Sequence, residues 1–432
     1  MARIKKDTAS DSTTTYGATS SADAKAARSA LVNELITFVN KGMGEKVAYT
    51  LSDENNPSNV RHFISTGVKV LDYIIANRRG GGIPCGRITT LLGDEGSGKS
   101  LIAQKVAATC QKEGGIVVYF DVENALTDTF AQHLGIDINN MVLINSELYI
   151  EKVFTIMDML IDKVREKHPD KKILMVWDSL AATPPKEEAE AEYEKHQMAL
   201  AARAFSKGLR KLNQKIASHQ IAVLLINQLR VDLNITYGDN AIGPGGKAIP
   251  FYSSTILRLN KKNLQAEGSG DTKEGVSIDV RLKAVKNRIG PPHRVCEFTM
   301  HLTQGPQEEE QLLRIIKRVE FTDVLYNGKP ARFAMTGGGA WNYAVVYDPE
   351  VNPTGDKDGI ILQKTNFQKK SMLTDFFENP IWQEYIEDCL ENALVRNYQR
   401  GEDEKPDPLS AMEVELMAMD AADMVAGMDG DD

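Results

Sequence analysis

Gly93-Asp94-Glu95-Gly96-Ser97-Gly98-Lys99-Ser100 has the spacing G-x-x-x-x-G-K-[ST], which suits a polyphosphate. The glycines let backbone N–H groups turn toward the phosphates, and a following helix N-terminus adds partial positive charge. Lys99 is placed to reach the β and γ phosphates, and the Ser100 hydroxyl to ligate Mg2+. The apolar run 88–92 before the loop and the helical pattern after it supply the strand–loop–helix context the motif needs. The chemistry implied is binding and hydrolysis of a nucleoside triphosphate, ATP foremost.

Three further groups stand at the ends of apolar runs. Asp178 closes Ile173-Leu-Met-Val-Trp and suits the hydration shell of a phosphate-bound metal. Asp121 and Glu123 follow Val-Val-Tyr-Phe, where alternation would put both on one side; either has the chemistry to orient an attacking water. Gln228, in Ile226-Asn227-Gln228-Leu229-Arg230, offers a neutral amide that can sense a γ-phosphate and move the chain after it. That chain holds Gly238, Gly243, Gly245 and Gly246, a composition that permits close backbone approach to a ligand.

The elements that must position these groups form an α/β pattern. Strands are expected at 88–92, 115–120, 172–177 and 221–226, and helices at 101–111, 151–167 and 199–218. Continuous apolar strands between helices imply a mostly parallel sheet covered on both faces. More alternating strands at 254–259, 276–285 and 295–299 suggest antiparallel hairpins extending it. The expected organisation is a disordered segment 1–27, an oligomerisation helix and linker 28–62, an ATPase core 63–311, a small α/β domain 312–400 and an acidic disordered tail 401–432. Leu31, Leu35 and Phe38 recur at helical spacing in the second segment, an apolar face that needs a partner in its own domain or a neighbouring subunit.

The net charge of -9 is misleading, because residues 401–432 carry eleven acids and one base. The body is therefore near neutral, and the overall charge does not exclude nucleic acid. No apolar run is long enough for a bilayer, and the start lacks an apolar signal core. Cys85, Cys110, Cys296 and Cys389 are widely spaced, which fits free thiols in a reducing cytoplasm.

In this order the motifs resemble the RecA family of homologous-recombination strand-exchange ATPases, over about residues 28–400. The matching stretches include Ile64-Ser-Thr-Gly-Val-Lys-Val-Leu-Asp72, the phosphate loop, Asp121-Val-Glu-Asn-Ala-Leu, Asp178-Ser-Leu-Ala-Ala-Thr-Pro-Pro-Lys186 and Met198-Ala-Leu-Ala-Ala-Arg203. Ile226-Asn-Gln-Leu-Arg230, Gly245-Gly-Lys-Ala-Ile-Pro-Phe-Tyr252 and Val285-Lys-Asn-Arg288 complete them. The resemblance implies a RecA-like core, ATP and Mg2+ as cofactors, and a helical homo-oligomeric filament on single-stranded DNA that pairs it with homologous duplex DNA. It makes Glu123 the residue activating water, Gln228 the link to the DNA loops, and Phe130 a platform for adenine. It makes Lys286 and Arg288 the cations that reach a neighbour's ATP. It implies DNA contacts by Met198, Arg203, Ser206, Arg210, Arg230, Gly245 and Gly246, and by loops at about 186–197 and 229–247. Single-strand-binding and mediator proteins are implied partners, in the cytoplasm of a bacterial or phage-infected cell, at the nucleoid. The C-terminal unit resembles the family's duplex-gathering domain, with Lys364, Lys369 and Lys370 as its basic face.

The first loop departs from the family in its acidity, with Ala191 and Glu194 where glycines are usual, and the second in Asp232 and Tyr237. These departures bear on the loop tips more than on the helix carrying Arg203, Ser206 and Arg210, which share one side at helical spacing. A hexameric ring helicase or translocase on the same core, and an ATP-gated DNA-binding mediator, remain the alternatives at this stage.

Overall fold

The computed structural model describes residues 21–190, 198–231, 241–242, 244–267, 274–337, 340–355 and 359–396. The chain divides into two compact units, Met1–Asn59 and Val60–Asp432. In the first, α1 (Ser21–Met43) begins well before the apolar repeat, so residues 21–27, expected to be disordered, are helical. Ala22, Ala24, Ala26 and Ala27 explain the extension, because alanine favours helix without any apolar periodicity. Leu31, Leu35 and Phe38 are exposed along it. After α1 the Asn40 side chain accepts the N–H groups of Val47 and Ala48, both at 2.8 Å, and fixes the turn out of the helix.

The second unit opens with α2 (Lys69–Ala76) and the phosphate-loop strand β1 (Ile88–Gly93), followed by α3 (Lys99–Lys112) and β2 (Ile116–Asp121). Then come β3 (Met141–Ile144), α4 (Ile150–Lys167), β4 (Ile173–Asp178), α5 (Met198–Ser218) and β5 (Ile221–Gln228). The sheet continues with β6 (Thr255–Glu267), β7 (Glu274–Asn287), β8 (Val295–His301) and β9 (Gly305–Gln307). Its spatial order is β9-β8-β7-β6-β1-β5-β4-β2-β3, nine strands in all. The strands from β6 across to β3 pair parallel, and the remainder antiparallel. The expected mostly parallel sheet with an antiparallel extension is what forms, with one difference. β6 belongs to both parts, parallel to β1 on one side and antiparallel to β7 on the other.

Separate apolar layers cover the two faces. On one, α4 and α5 pack through Phe154, Trp177 and Phe205, with ring centroids 5.2 to 6.4 Å apart. Such aromatic pairs contribute about 0.5–1.5 kcal/mol beyond area burial. On the other, the layer of α2 and α3 runs on into the C-terminal elements: α6 (Glu309–Arg318), the antiparallel sheet β10 (Thr322–Tyr326), β11 (Lys329–Thr336), β12 (Asn342–Tyr347), β13 (Gln363–Phe367), and α7 (Pro380–Leu394). Trp382, Phe333, Phe367 and Phe376 are its largest buried side chains there. Among the described residues no helix is long and apolar enough to cross a membrane.

α2 is held by two acids. Asp72 is buried and accepts the Ser65 hydroxyl (2.6 Å) and both the N–H and hydroxyl of Thr66 (2.7 Å each). Glu308 is half-buried as a residue, but its carboxylate turns inward and accepts the N–H groups of Lys69 (2.6 Å) and Val70 (3.1 Å), the open start of α2. Burial pushes Asp72 up to about 7 and Glu308 up to about 8, with Asp72 raising Glu308 further. Both therefore bind protons more tightly folded than unfolded, so stability falls as pH rises from the ordinary carboxylate range toward 8. The urea midpoint is expected to drop between pH 6 and about 9, and Glu308→Gln to remove much of that slope; an unchanged slope would show that Glu308 is not the group responsible.

Candidate nucleotide and DNA sites

Register brings the candidate residues to one edge of the sheet. Gly93 of β1 lies beside Gln228 of β5, and Asp121 of β2 beside Asp178 of β4. These are the carboxyl ends of adjacent parallel strands, where open α/β sheets bind ligands. Between β1 and α3 the loop turns through Gly96 (φ 69°) and Gly98 (φ 91°). Gly98 immediately precedes the first residue of α3, in a conformation that a side chain would strain.

Lys99 is buried, and its Nζ donates to the carbonyls of Gly93 (3.0 Å) and Asp94 (2.6 Å). Burial lowers its pKa, while Asp178, Asp94, Glu123 and Glu95 favour the charged form. Asp178 is also buried; it accepts the Tyr119 hydroxyl at 2.8 Å, and the Ser100 hydroxyl lies against it. Burial raises its carboxyl to about 6, with Glu123 and Asp121 adding to the rise. A hydroxyl and a carboxylate amid surplus negative charge suit a hard divalent cation that keeps waters and phosphates as its other ligands.

Asp121 and Glu123 part company. β2 ends at Asp121, so strand alternation does not reach Glu123. The buried Asp121 carboxylate accepts the N–H groups of Ala125 (3.2 Å) and Leu126 (3.0 Å), which makes it the clamp of the turn. Glu123 stands exposed on that turn and accepts the hydroxyl of Ser179, the residue after Asp178. Phe130 is half-buried on the helix Asp128–His133 beyond it.

Lys286 and Arg288 do not join this cluster. Asn287, between them, pairs with Thr255, which pairs with Thr89 of β1. That is about 13 Å along the strand from the Gly93 end. Lys286 donates to the carbonyls of Pro250 (2.5 Å) and Phe251 (3.4 Å), and Arg288 is exposed.

A cavity of about 610 Å³ lies between α5 and the turn at residues 244–247, with Arg203, Ser206, Arg210 and Gly245 in its lining. Gly245 has φ 95°, and a Cβ there would meet Ile249 at 2.6 Å. The turn is tied to the sheet by Asn227, a buried side chain whose amide donates to the Pro244 carbonyl at 2.9 Å. Two neighbouring bonds continue the link: Gln228 N–H donates to Asn227 Oδ1 (3.1 Å) and Leu229 N–H to the Gly93 carbonyl (3.2 Å). Residues 191–197 and 232–240 and the side chains of Met198 and Arg230 lie outside the described residues; the Arg230 backbone pairs with Ile242.

Residues 30–307 match the model of the RecA N-terminal domain. The chain belongs to the RecA family. Among relatives named Protein RecA, that of Fusobacterium nucleatum is 36% identical over 274 residues, 63% of this chain and 68% of the relative. That of Crocosphaera subtropica is 38% identical over 242 residues (56% and 65%), and that of Lactococcus lactis 32% over 315 residues (73% and 76%). The chain is thus a nucleotide-binding, DNA-dependent ATPase of homologous recombination and repair.

The phosphate loop, Asp178 and Gln228 lie at adjacent strand ends, with Glu123 held against Ser179 beside them, and Asn227, not singled out from the sequence, ties this edge to the glycine turn. Its signal was available: an amide at the end of a buried strand, followed by a glycine-rich return.

Proposed function

We propose that this protein forms an ATP-dependent filament on single-stranded DNA and exchanges that strand with a homologous duplex, using the residues clustered at the ends of β1, β5, β4 and β2. The backbone of residues 93–98 and Lys99 hold the β and γ phosphates. Ser100 and Asp178 hold Mg2+, which neutralises charge on the phosphates when bound. Glu123, steered by Ser179, accepts the proton of the attacking water. Gln228 reads the γ-phosphate, and Phe130 packs on the base. Arg203, Ser206, Arg210 and the Gly245–Gly246 turn hold the sugar–phosphate chain and leave the bases free to pair.

The observation that carries this reading is the hydrogen-bonded path from the Gly93 carbonyl, through the end of β5 and Asn227, to Pro244 beside the groove. It gives nucleotide and DNA a shared structural element, as an ATP-gated recombinase needs. The C-terminal unit is the place for duplex gathering, although Lys369 is paired with Glu310 at 2.7 Å and Lys364 lies over the Tyr343 ring. The exposed apolar residues of α1 are suited to the next protomer. Oligomerisation helix and linker 28–62 (the helix itself beginning at Ser21), core 63–311, domain 312–400 and tail 401–432 are the proposed division of labour, with the acidic tail competing with DNA for basic surface.

The test is strand exchange between single-stranded DNA and homologous duplex. It is expected to require ATP and homology and to vanish in Lys99→Ala. Unwinding of duplex without pairing of homologous strands would overturn the proposal.

A further inference from the structure

The cations of α5 fall into two sets. Lys211 and Lys215 face α4: Lys211 pairs with Asp158 at 2.8 Å, and Lys215 with Asp158 and with Asp162 at 2.6 Å. Arg203, Lys207 and Arg210 face the cavity and form no ion pair with another described residue. Positions four and three apart on a helix share a stripe roughly 60° wide. Lys207 therefore stands about 6 Å along the axis from Arg203 and about 4.5 Å from Arg210. From the opposite wall the turn after Gly246 supplies Lys247, exposed and directed at the same cavity.

We propose that Lys207 and Lys247 are two further phosphate-binding residues, so that four cations from two walls grip one DNA strand in this groove. The inference rests on the reading of the groove as the single-strand site. Lys207 fills the interval between the two arginines, and Lys247 closes over the strand from the glycine turn. Lysine serves here because a compact charge on a flexible stem can follow a phosphate without fixing its orientation. The same pair would make this groove more dependent on charge than the two arginines alone, offsetting the acidic segment that precedes α5 in the sequence.

The experiment is fluorescence anisotropy of the full chain on a labelled oligo-dT, with Mg2+ and a non-hydrolysable ATP analogue, over a series of salt concentrations. Each of Lys207→Gln and Lys247→Gln is expected to reduce the slope of log K against log salt by about 0.7 per bound protomer, and the double variant by about 1.4. Lys207→Arg and Lys247→Arg are expected to keep the wild-type slope, which a merely structural role would not ensure. If both glutamine variants keep the wild-type slope while Arg203→Gln lowers it, the lysine contacts are refuted and the groove stands. A weaker affinity at unchanged slope refutes them equally. If Arg203→Gln and Arg210→Gln also leave the slope unchanged, the groove is not the strand-binding site and both readings fall.

Discussion

Glu123→Gln is expected to lower the turnover of ATP in the presence of DNA by about 10²–10⁴-fold, the usual contribution of a positioned acid or base. Nucleotide affinity should change little, because the backbone of the phosphate loop, Lys99 and Asp178 are untouched. The geometry separates Glu123 from its neighbours. Asp121 has its carboxylate committed to the N–H groups of Ala125 and Leu126, and Asp178 is buried against Tyr119 and Ser100. Glu123 alone among these three is exposed, held by one hydroxyl, with lone pairs left for water. Glutamine keeps the size and the bond to Ser179 but cannot take a proton. Asp121→Asn should instead loosen the turn, lowering thermal stability with a smaller loss of rate. The measurements are steady-state hydrolysis and fluorescent-nucleotide titration. Hydrolysis at the wild-type rate in Glu123→Gln would remove that residue from the chemistry.

Local sequence revealed whatever depends on neighbours in the chain. The phosphate loop, the buried strands and the acids at their ends were legible because spacing and apolar runs are short-range signals. Pairing across the sheet was less so. Nothing within β6 announces that it lies parallel to β1, since that register is set by a strand more than 160 residues earlier, Thr89 opposite Thr255. The same limit hid Glu308, which satisfies the start of α2 from 238 residues away. It also hid Lys207 and Lys247, which look like ordinary surface lysines until α5 and the glycine turn are brought together. Alternation failed at Glu123 for a different reason: the strand ends two residues earlier, and Asn124 turns the chain through φ 51°.

A mixture of two inactive variants is expected to recover activity that neither has alone. Arg288→Ala should lower hydrolysis by about 10²–10³-fold, the typical loss on removing one donor to a developing charge. Arg288 is the better target, because Lys286 also binds the Pro250 and Phe251 carbonyls, and its loss would disturb the helix Ala248–Tyr252. Asn287 sits far down the strand from the Gly93 end of its own protomer, and the mixture tests the reading that Arg288 serves a neighbour's nucleotide instead. In a filament of Glu123→Gln and Arg288→Ala protomers in equal amounts, about one interface in four joins an intact Glu123 to an intact Arg288. Hydrolysis should then approach about a quarter of wild type, with co-assembly verified by energy transfer between labelled variants. If the cation acts within its own protomer, every protomer lacks one essential group and the mixture stays as inactive as its components. Recovery would also explain why hydrolysis needs DNA. The helix Ala248–Tyr252, whose Pro250 and Phe251 carbonyls Lys286 binds, follows the Gly245–Gly246 turn, so a strand seated in the groove would act on the segment that anchors Lys286.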